Sequence, residues 1–324
     1  MRRRNFIVLA GASAVAWPFA VGAQGAGRTY RVGVLTFQLR EAPHFVALFD
    51  ELRKFGFVEN ENLIVHGRGF GIKSDQIAQI ATELVNAKVD VIICGGDLLI
   101  HAAQKATDTI PILAITDDMV ATGLIRSLSN PGGNTTGVSI FATELDGKRQ
   151  EILIELLPNA HQMAVLADSR TTAPPQLEAL QNAARARGVE LSMHLVMTSD
   201  EIVAAVDAAK NAGAAALNVL ATALFVANSQ TIIRRVAELR LPAIYQWPEM
   251  VEGGGLLAYG PRLVQIWRQQ ISRQLVKLLQ GIKPADIPVE QPSNFELVIN
   301  LKTAQLLNLS VPSLLLNRAD KVIE

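Results

Sequence analysis

Histidines, one cysteine and a pair of adjacent aspartates are the side chains with which this 324-residue sequence could make or break bonds, and their spacing argues against most such chemistry. His44, His66, His101, His161 and His194 lie far apart. None is four residues from another, and none has an acidic partner at metal-ligand spacing, so no local metal site is written. No serine stands between glycines at a strand-to-helix elbow, and no glycine-rich loop ends in Lys followed by Ser or Thr. Gly67-Arg68-Gly69-Phe70-Gly71 lacks the dinucleotide-binding spacing and reads as a flexible loop. Asp117 and Asp118 are neighbours in a loop and should point apart, which suits a cap or a contact to a ligand ammonium better than an acid/base pair. Cys94 follows Val91-Ile92-Ile93 and reads as an inert packed thiol. No catalytic residue, metal or cofactor is assigned, and the chain is not expected to be an enzyme.

Non-covalent recognition is the chemistry that remains, and it belongs to loops at the carboxyl ends of strands, where open α/β sheets bind ligands. In the first half these loops are Thr36-Phe37-Gln38, Gly95-Gly96-Asp97 and Thr116-Asp117-Asp118. Each precedes a helix, whose free N–H groups and positive dipole end can hold a carboxylate without an arginine. The second half offers Asp168-Ser169, Ala221-Thr222-Ala223 and Tyr245-Gln246-Trp247. Tyr245 and Trp247 fall on one side by period-two alternation and invite either aromatic stacking on a ligand or packing at a strand end. The candidate ligand-binding residues are therefore Thr36, Phe37, Gln38, Gly95, Gly96, Asp97, Thr116, Asp117, Asp118, Asp168, Ser169, Ala221, Thr222, Tyr245 and Trp247, with Tyr259 added.

The elements that must position these loops alternate from residue 30 to 250, β-branched runs with helical periodicity, as in parallel strands crossed by helices. Strands are expected at 32–35, 63–65, 89–94 and 112–115, then at 164–167, 189–196, 215–220 and 243–245. Phe45, Leu48, Phe49 and Leu52 mark one amphipathic helix, and Ile77, Ile80, Ala81, Leu84 and Val85 another. Thr198 and Glu201 form a capping box. Asn130-Pro131-Gly132-Gly133-Asn134 is the strongest turn cluster, and the first passage between two lobes is expected there. Gly253-Gly254-Gly255 opens the return passage, a helix over 261–280 with a Leu263, Ile266, Ile271, Leu278 stripe should pack on the first lobe, and a third passage follows Ile287-Pro288-Val289. The expected fold is α/β: two doubly wound parallel-sheet lobes, 30–137 plus 258–287 and 138–257 plus 288–324, joined by a three-segment hinge. Hinge closure around a ligand is what three passages between two lobes allow.

Residues 1–23 read as a cleaved export signal. Arg2, Arg3 and Arg4 precede an apolar run from Phe6 to Ala16 that is too short to span a membrane, and Val21-Gly22-Ala23 offers a small-residue cleavage site. Arg3-Arg4-Asn5-Phe6 also fits the twin-arginine pattern. A freely diffusing periplasmic protein follows, since no cysteine stands at the cleavage point to take a lipid. The chain carries 30 basic and 30 acidic side chains, and losing the three leader arginines leaves a mildly negative protein with no basic field for nucleic acid.

With lobes and passages placed, the sequence resembles the ABC-transporter substrate-binding proteins of the type I periplasmic fold, in the branch typified by tryptophan- and tyrosine-binding members. The resemblance is carried by Gly123-Leu124 through Asn130-Pro131-Gly132-Gly133-Asn134-Thr135-Thr136-Gly137, by Leu241-Pro242-Ala243-Ile244-Tyr245, by Gly254-Gly255-Leu256 with Tyr259-Gly260, and by the tail Arg318-Ala319-Asp320-Lys321-Val322-Ile323-Glu324. It implies a monomeric receptor that captures a small solute, an amino acid or related compound, and presents it to the membrane permease of an importer. Relatives have other residues where Asp97-Leu98-Leu99 and Asp168-Ser169 stand here, so an aromatic amino acid is not inherited as the ligand. A sensor for a signalling partner and an exported α/β enzyme are the alternatives. Asn308 replaces a familiar tail glycine, and asparagine tolerates the left-handed conformation that ends a helix.

Overall fold

The computed structural model describes residues 27–140 and 142–324, so the expected signal at residues 1–23 lies outside the described residues. Twelve strands form two sheets. The first sheet takes β1 (Tyr30–Leu35), β2 (Leu63–His66), β3 (Val91–Gly95), β4 (Ile112–Thr116) and β5 (Thr135–Ser139) in the order β2-β1-β3-β4-β5, all parallel. The second takes β6 (Gln162–Asp168), β7 (Glu190–Val196), β8 (Leu217–Val219), β9 (Ala243–Tyr245), β10 (Leu257–Gly260), β11 (Glu296–Asn300) and β12 (Lys321–Ile323) in the order β12-β11-β10-β9-β8-β6-β7. Among the described residues, the β10–β11 pair alone is antiparallel. The central strands are buried on both faces, which is why they read as unbroken Val/Ile/Leu runs rather than alternating ones. Two α/β lobes of the type I periplasmic binding fold result.

The chain leaves the first sheet after Ser139, returns after Gly260 and leaves again after Glu290. The first passage was expected at the Pro-Gly-Gly turn; it falls later because Thr135–Ser139 pairs along β4 as the edge strand. Gly137 permits that pairing. Its φ is +148°, and a Cβ there would stand 1.8 Å from the Ala114 carbonyl oxygen. Residues 258–260, expected in the first lobe, belong to the second sheet between β9 and β11. Val289 and Glu290, expected in the second, stay with the first, their N–H groups donating to the Leu128 and Gly137 carbonyls at 2.8 and 2.9 Å.

The expected return helix exists as three joined pieces: α-helical Leu263–Ile266, a wide π-type turn at Trp267–Ile271, and α-helical Ser272–Leu279. Its apolar stripe steps five residues from Ile266 to Ile271, too far for one α-turn, and the wider turn absorbs the excess so that both stay buried. Trp267 thereby meets the first-lobe helix Pro43–Lys54, its ring centroid 4.8 Å from Phe45 and 4.9 Å from His44. The Thr198–Glu201 capping box is present ahead of helix Ile202–Asn211. Asn308 takes φ +55° just beyond helix Leu301–Leu306. Among the described residues no helix is long and apolar enough to cross a membrane, and no group of three or more His, Cys, Asp or Glu could hold a metal ion.

Candidate ligand-binding site

A cavity lies between the lobes, at the carboxyl ends of both sets of strands. The first lobe lines it with Thr36, Phe37 and Gln38 after β1, Gly95, Gly96 and Asp97 after β3, and Thr116 and Asp117 after β4. The second lobe contributes Asp168 after β6, Thr222 after β8 and Trp247 after β9. These are eleven of the sixteen candidates, gathered from six loops. The lobes touch: a Cβ added to Gly96 would come 2.9 Å from the Ala223 Cβ, and Arg170 Nη1 donates to Ser74 Oγ at 3.1 Å.

The remaining five candidates stand off the cavity wall for identifiable reasons. Asp118 turns its carboxylate back on its own loop, where Oδ1 accepts the Val120 and Ala121 N–H groups at 3.0 Å. Ser169 is exposed, and its hydroxyl reaches the Val196 carbonyl. Ala221 is packed in the core. Tyr245 is completely buried, and its hydroxyl has no partner. Burial pushes that phenol well above its ordinary range. The alternation argument holds for the backbone, yet Tyr245 turns into the core beneath Gly255 while Trp247, one residue past the strand, reaches the cavity. Tyr259 stacks on Phe295 and offers its carbonyl to Arg149, away from the cleft.

Several wall residues carry no sequence signal of their own. His44, Phe45 and Trp267 arrive as one aromatic cluster on two helices that meet only in the fold. Desolvation holds the His44 imidazole down to about 3, so it is neutral. Arg170 and Thr171 follow Asp168, where the strand-end rule could have found them. Gln246 stands inside an expected loop whose aromatic members drew attention instead. It is 2% exposed, and neither its amide nitrogen nor its amide oxygen has a partner. The same is true of the Trp247 and Trp267 indole nitrogens and the Thr171 hydroxyl. These buried polar atoms, left unpaired within the protein, lie on residues that line one cavity.

Carboxylates dominate the electrostatics. Asp97, 7% exposed, opens helix Asp97–Ala106 and accepts a short hydrogen bond from the Thr116 hydroxyl; burial nevertheless raises it above the ordinary carboxylate range. Asp117 is held well above that range, first by desolvation and then by Asp97 and Asp146, with Arg149 opposing. Asp146 and Arg149 form a buried ion pair behind the site, extended by Gln176 to the carboxylate and by the Tyr259 carbonyl to the guanidinium. Asp168 is clamped by Arg170 through Nε and Nη2 at 3.0 and 2.9 Å, and Thr222 donates to it at 3.3 Å. Cys94 is packed away from water, and burial raises its thiol far beyond reactivity.

Comparison with known proteins agrees with this geometry. A tyrosine-binding protein of Clostridioides difficile is 27% identical over 258 residues, which cover 78% of this chain and 73% of that protein. A conserved domain protein from Vibrio cholerae superimposes with a TM-score of 0.81 at 25% identity, covering 91% of this chain and all of the other. A domain from Streptococcus pneumoniae in complex with L-Trp gives 0.78 at 24% identity with the same coverage. The ligand-free, open form of a substrate-binding protein with adhesive properties from Clostridium difficile gives 0.60 at 24%, covering 91% and 99%. The family described as ABC transporter substrate binding protein matches residues 46–323. With two sheets, an interlobe cavity and residues 46–323 accounted for by that match, the chain belongs to the ABC transporter substrate-binding protein family.

Proposed function

We propose that this substrate-binding protein is the periplasmic receptor of an importer, that it closes its two lobes on a small solute, an amino acid or related compound, and that it delivers the closed form to a membrane permease. The observation that carries the reading is the interlobe cavity whose walls hold unpaired buried polar groups from both lobes. A ligand touching both walls gains contacts that exist only in the closed form, and differential contact is what drives closure. Moving such an equilibrium from almost all open to almost all closed takes about 5.5 kcal/mol of contacts specific to the closed form. Gln246, Trp247 and Thr171 on one side, facing Asp97, Asp117 and Trp267 on the other, have that capacity. The interlobe Gly96–Ala223 approach and the Arg170–Ser74 hydrogen bond are features of a shut cleft. The lower TM-score to an open, ligand-free relative than to a ligand-bound one of equal identity supports the same state.

Export through residues 1–23, where Arg3-Arg4-Asn5-Phe6 also fits the twin-arginine pattern, and a monomeric mature protein complete the proposal. The reading assigns no catalytic residue and no cofactor. A thermal-shift panel of small solutes against the protein beginning at Gln24 tests it. A true ligand at 100 times its dissociation constant should add about 2.7 kcal/mol of stability. Silence across amino acids, amines, sugars and carboxylates would remove the receptor reading.

A further inference from the structure

Resting on the receptor reading above and narrowing it, we propose that the solute is an organic cation, an arylalkyl amine or amidine with net positive charge, rather than a zwitterionic amino acid. The cleft and the pair behind it bring together four carboxylates, Asp97, Asp117, Asp146 and Asp168, against two guanidinium groups, Arg149 and Arg170. Two carboxyl groups, Asp97 and Asp117, are left without a guanidinium partner, and both belong to the wall. Arg170 is engaged with Asp168 through Nε and Nη2 and with Ser74 through Nη1, so a ligand carboxylate would meet a guanidinium whose charge is already matched by Asp168. Arg149 is completely buried against Asp146 and donates to the Tyr259 carbonyl. His44 is neutral.

The helix N-termini at the Gly96 and Thr222 turns, the other means of holding a carboxylate, each carry one of the protein's own polar side chains. The helix that begins at the Gly96 turn carries Asp97 as its first residue, which places a carboxyl group at the dipole end. At helix Ala223–Ala227, the Thr222 hydroxyl accepts the Leu224 N–H at 3.2 Å. A zwitterion would thus find partners for its ammonium, while the two guanidinium groups at the cleft are already paired with Asp146 and Asp168. A cation finds Asp97 and Asp117 together with the aromatic wall formed by Phe37, Trp247 and Trp267. The unpaired indole N–H groups ask for a neutral acceptor, which a ring heteroatom or carbonyl supplies without adding charge.

The test is a pair of matched series measured by titration calorimetry at pH 7 on the protein beginning at Gln24: tryptamine, L-tryptophan and indole-3-acetate, then phenethylamine, L-phenylalanine and phenylacetate. In the series whose ring fits, the amine should bind about tenfold or more tightly than the amino acid, and the acid should give no heat. Asp97→Asn should lower amine affinity about tenfold, while Asp97→Glu restores part of it and both variants unfold at temperatures close to the parent. An amino acid that binds as tightly as its amine overturns the inference and leaves the receptor standing. So does a thermal-shift panel in which the binders are zwitterions or anions and no cation. A panel with no binder of any charge removes the receptor reading itself.

Discussion

At the level of single residues, His44 shows how a side chain that looks inert in the sequence becomes an informative group in the fold. It sits at the start of a helix with nothing to distinguish it from the other histidines, yet it is 3% exposed and pressed between Phe45 and Trp267. Its folded pKa of about 3 lies far below the unfolded value of 6.5. Between those values the unfolded chain binds a proton that the folded one refuses, so stability is lost as the pH falls from 6.5 towards 3. At pH 5 the loss from this one group is about 2 kcal/mol. In ligand-free protein, His44→Phe should shrink the drop in urea-unfolding stability between pH 7 and pH 5 by about that amount. An unchanged drop would mean that water reaches the imidazole. Asp97 and Asp117, raised by burial, act in the opposite sense, gaining protons on folding, and cancel when variant and parent are compared at each pH. Asp97 and Asp117 could be read as cleft residues because strand-end loops are positioned by topology alone. Tyr245 could not be placed, because which face of β9 is lined by core is decided by Gly255 and the helices packed above it.

Among the elements, strands were more legible than passages. Val91–Gly95 and Ile112–Thr116 are continuous apolar runs that no other structure would bury so completely. Thr135–Ser139 reads as a short extended piece after a turn, and only its pairing with β4 reveals that it closes the first sheet. The π-type turn at Trp267–Ile271 has no local signature beyond a five-residue step in the apolar stripe. It matters because Trp267 both opens that turn and lines the cavity. Gly137 is the element-scale weak point. Its positive φ and the nearby Ala114 carbonyl leave no room for a methyl group, so Gly137→Ala should destabilise the protein by at least about 2 kcal/mol, read as a fall in urea midpoint. A loss within about 0.5 kcal/mol, the range of an ordinary surface change, would show that β5 is not held against β4 as described.

For the whole molecule, two sheets and three passages make one device, and the composition-level reading of two lobes with a hinge needed only the alternation of strands and helices. Where each passage falls needed the structure, since Val289 and Glu290 stay with the first lobe through two backbone hydrogen bonds that no sequence pattern announces. The lobes meet here through Gly96, Ala223, Arg170 and Ser74, so the described form is the closed one in this account. Small-angle scattering on the protein beginning at Gln24, with and without a solute identified by thermal shift, tests that account most directly. The radius of gyration should contract on ligand addition and the liganded profile should match the closed structure. A profile that is the same with and without a saturating binder would contradict capture by hinge closure.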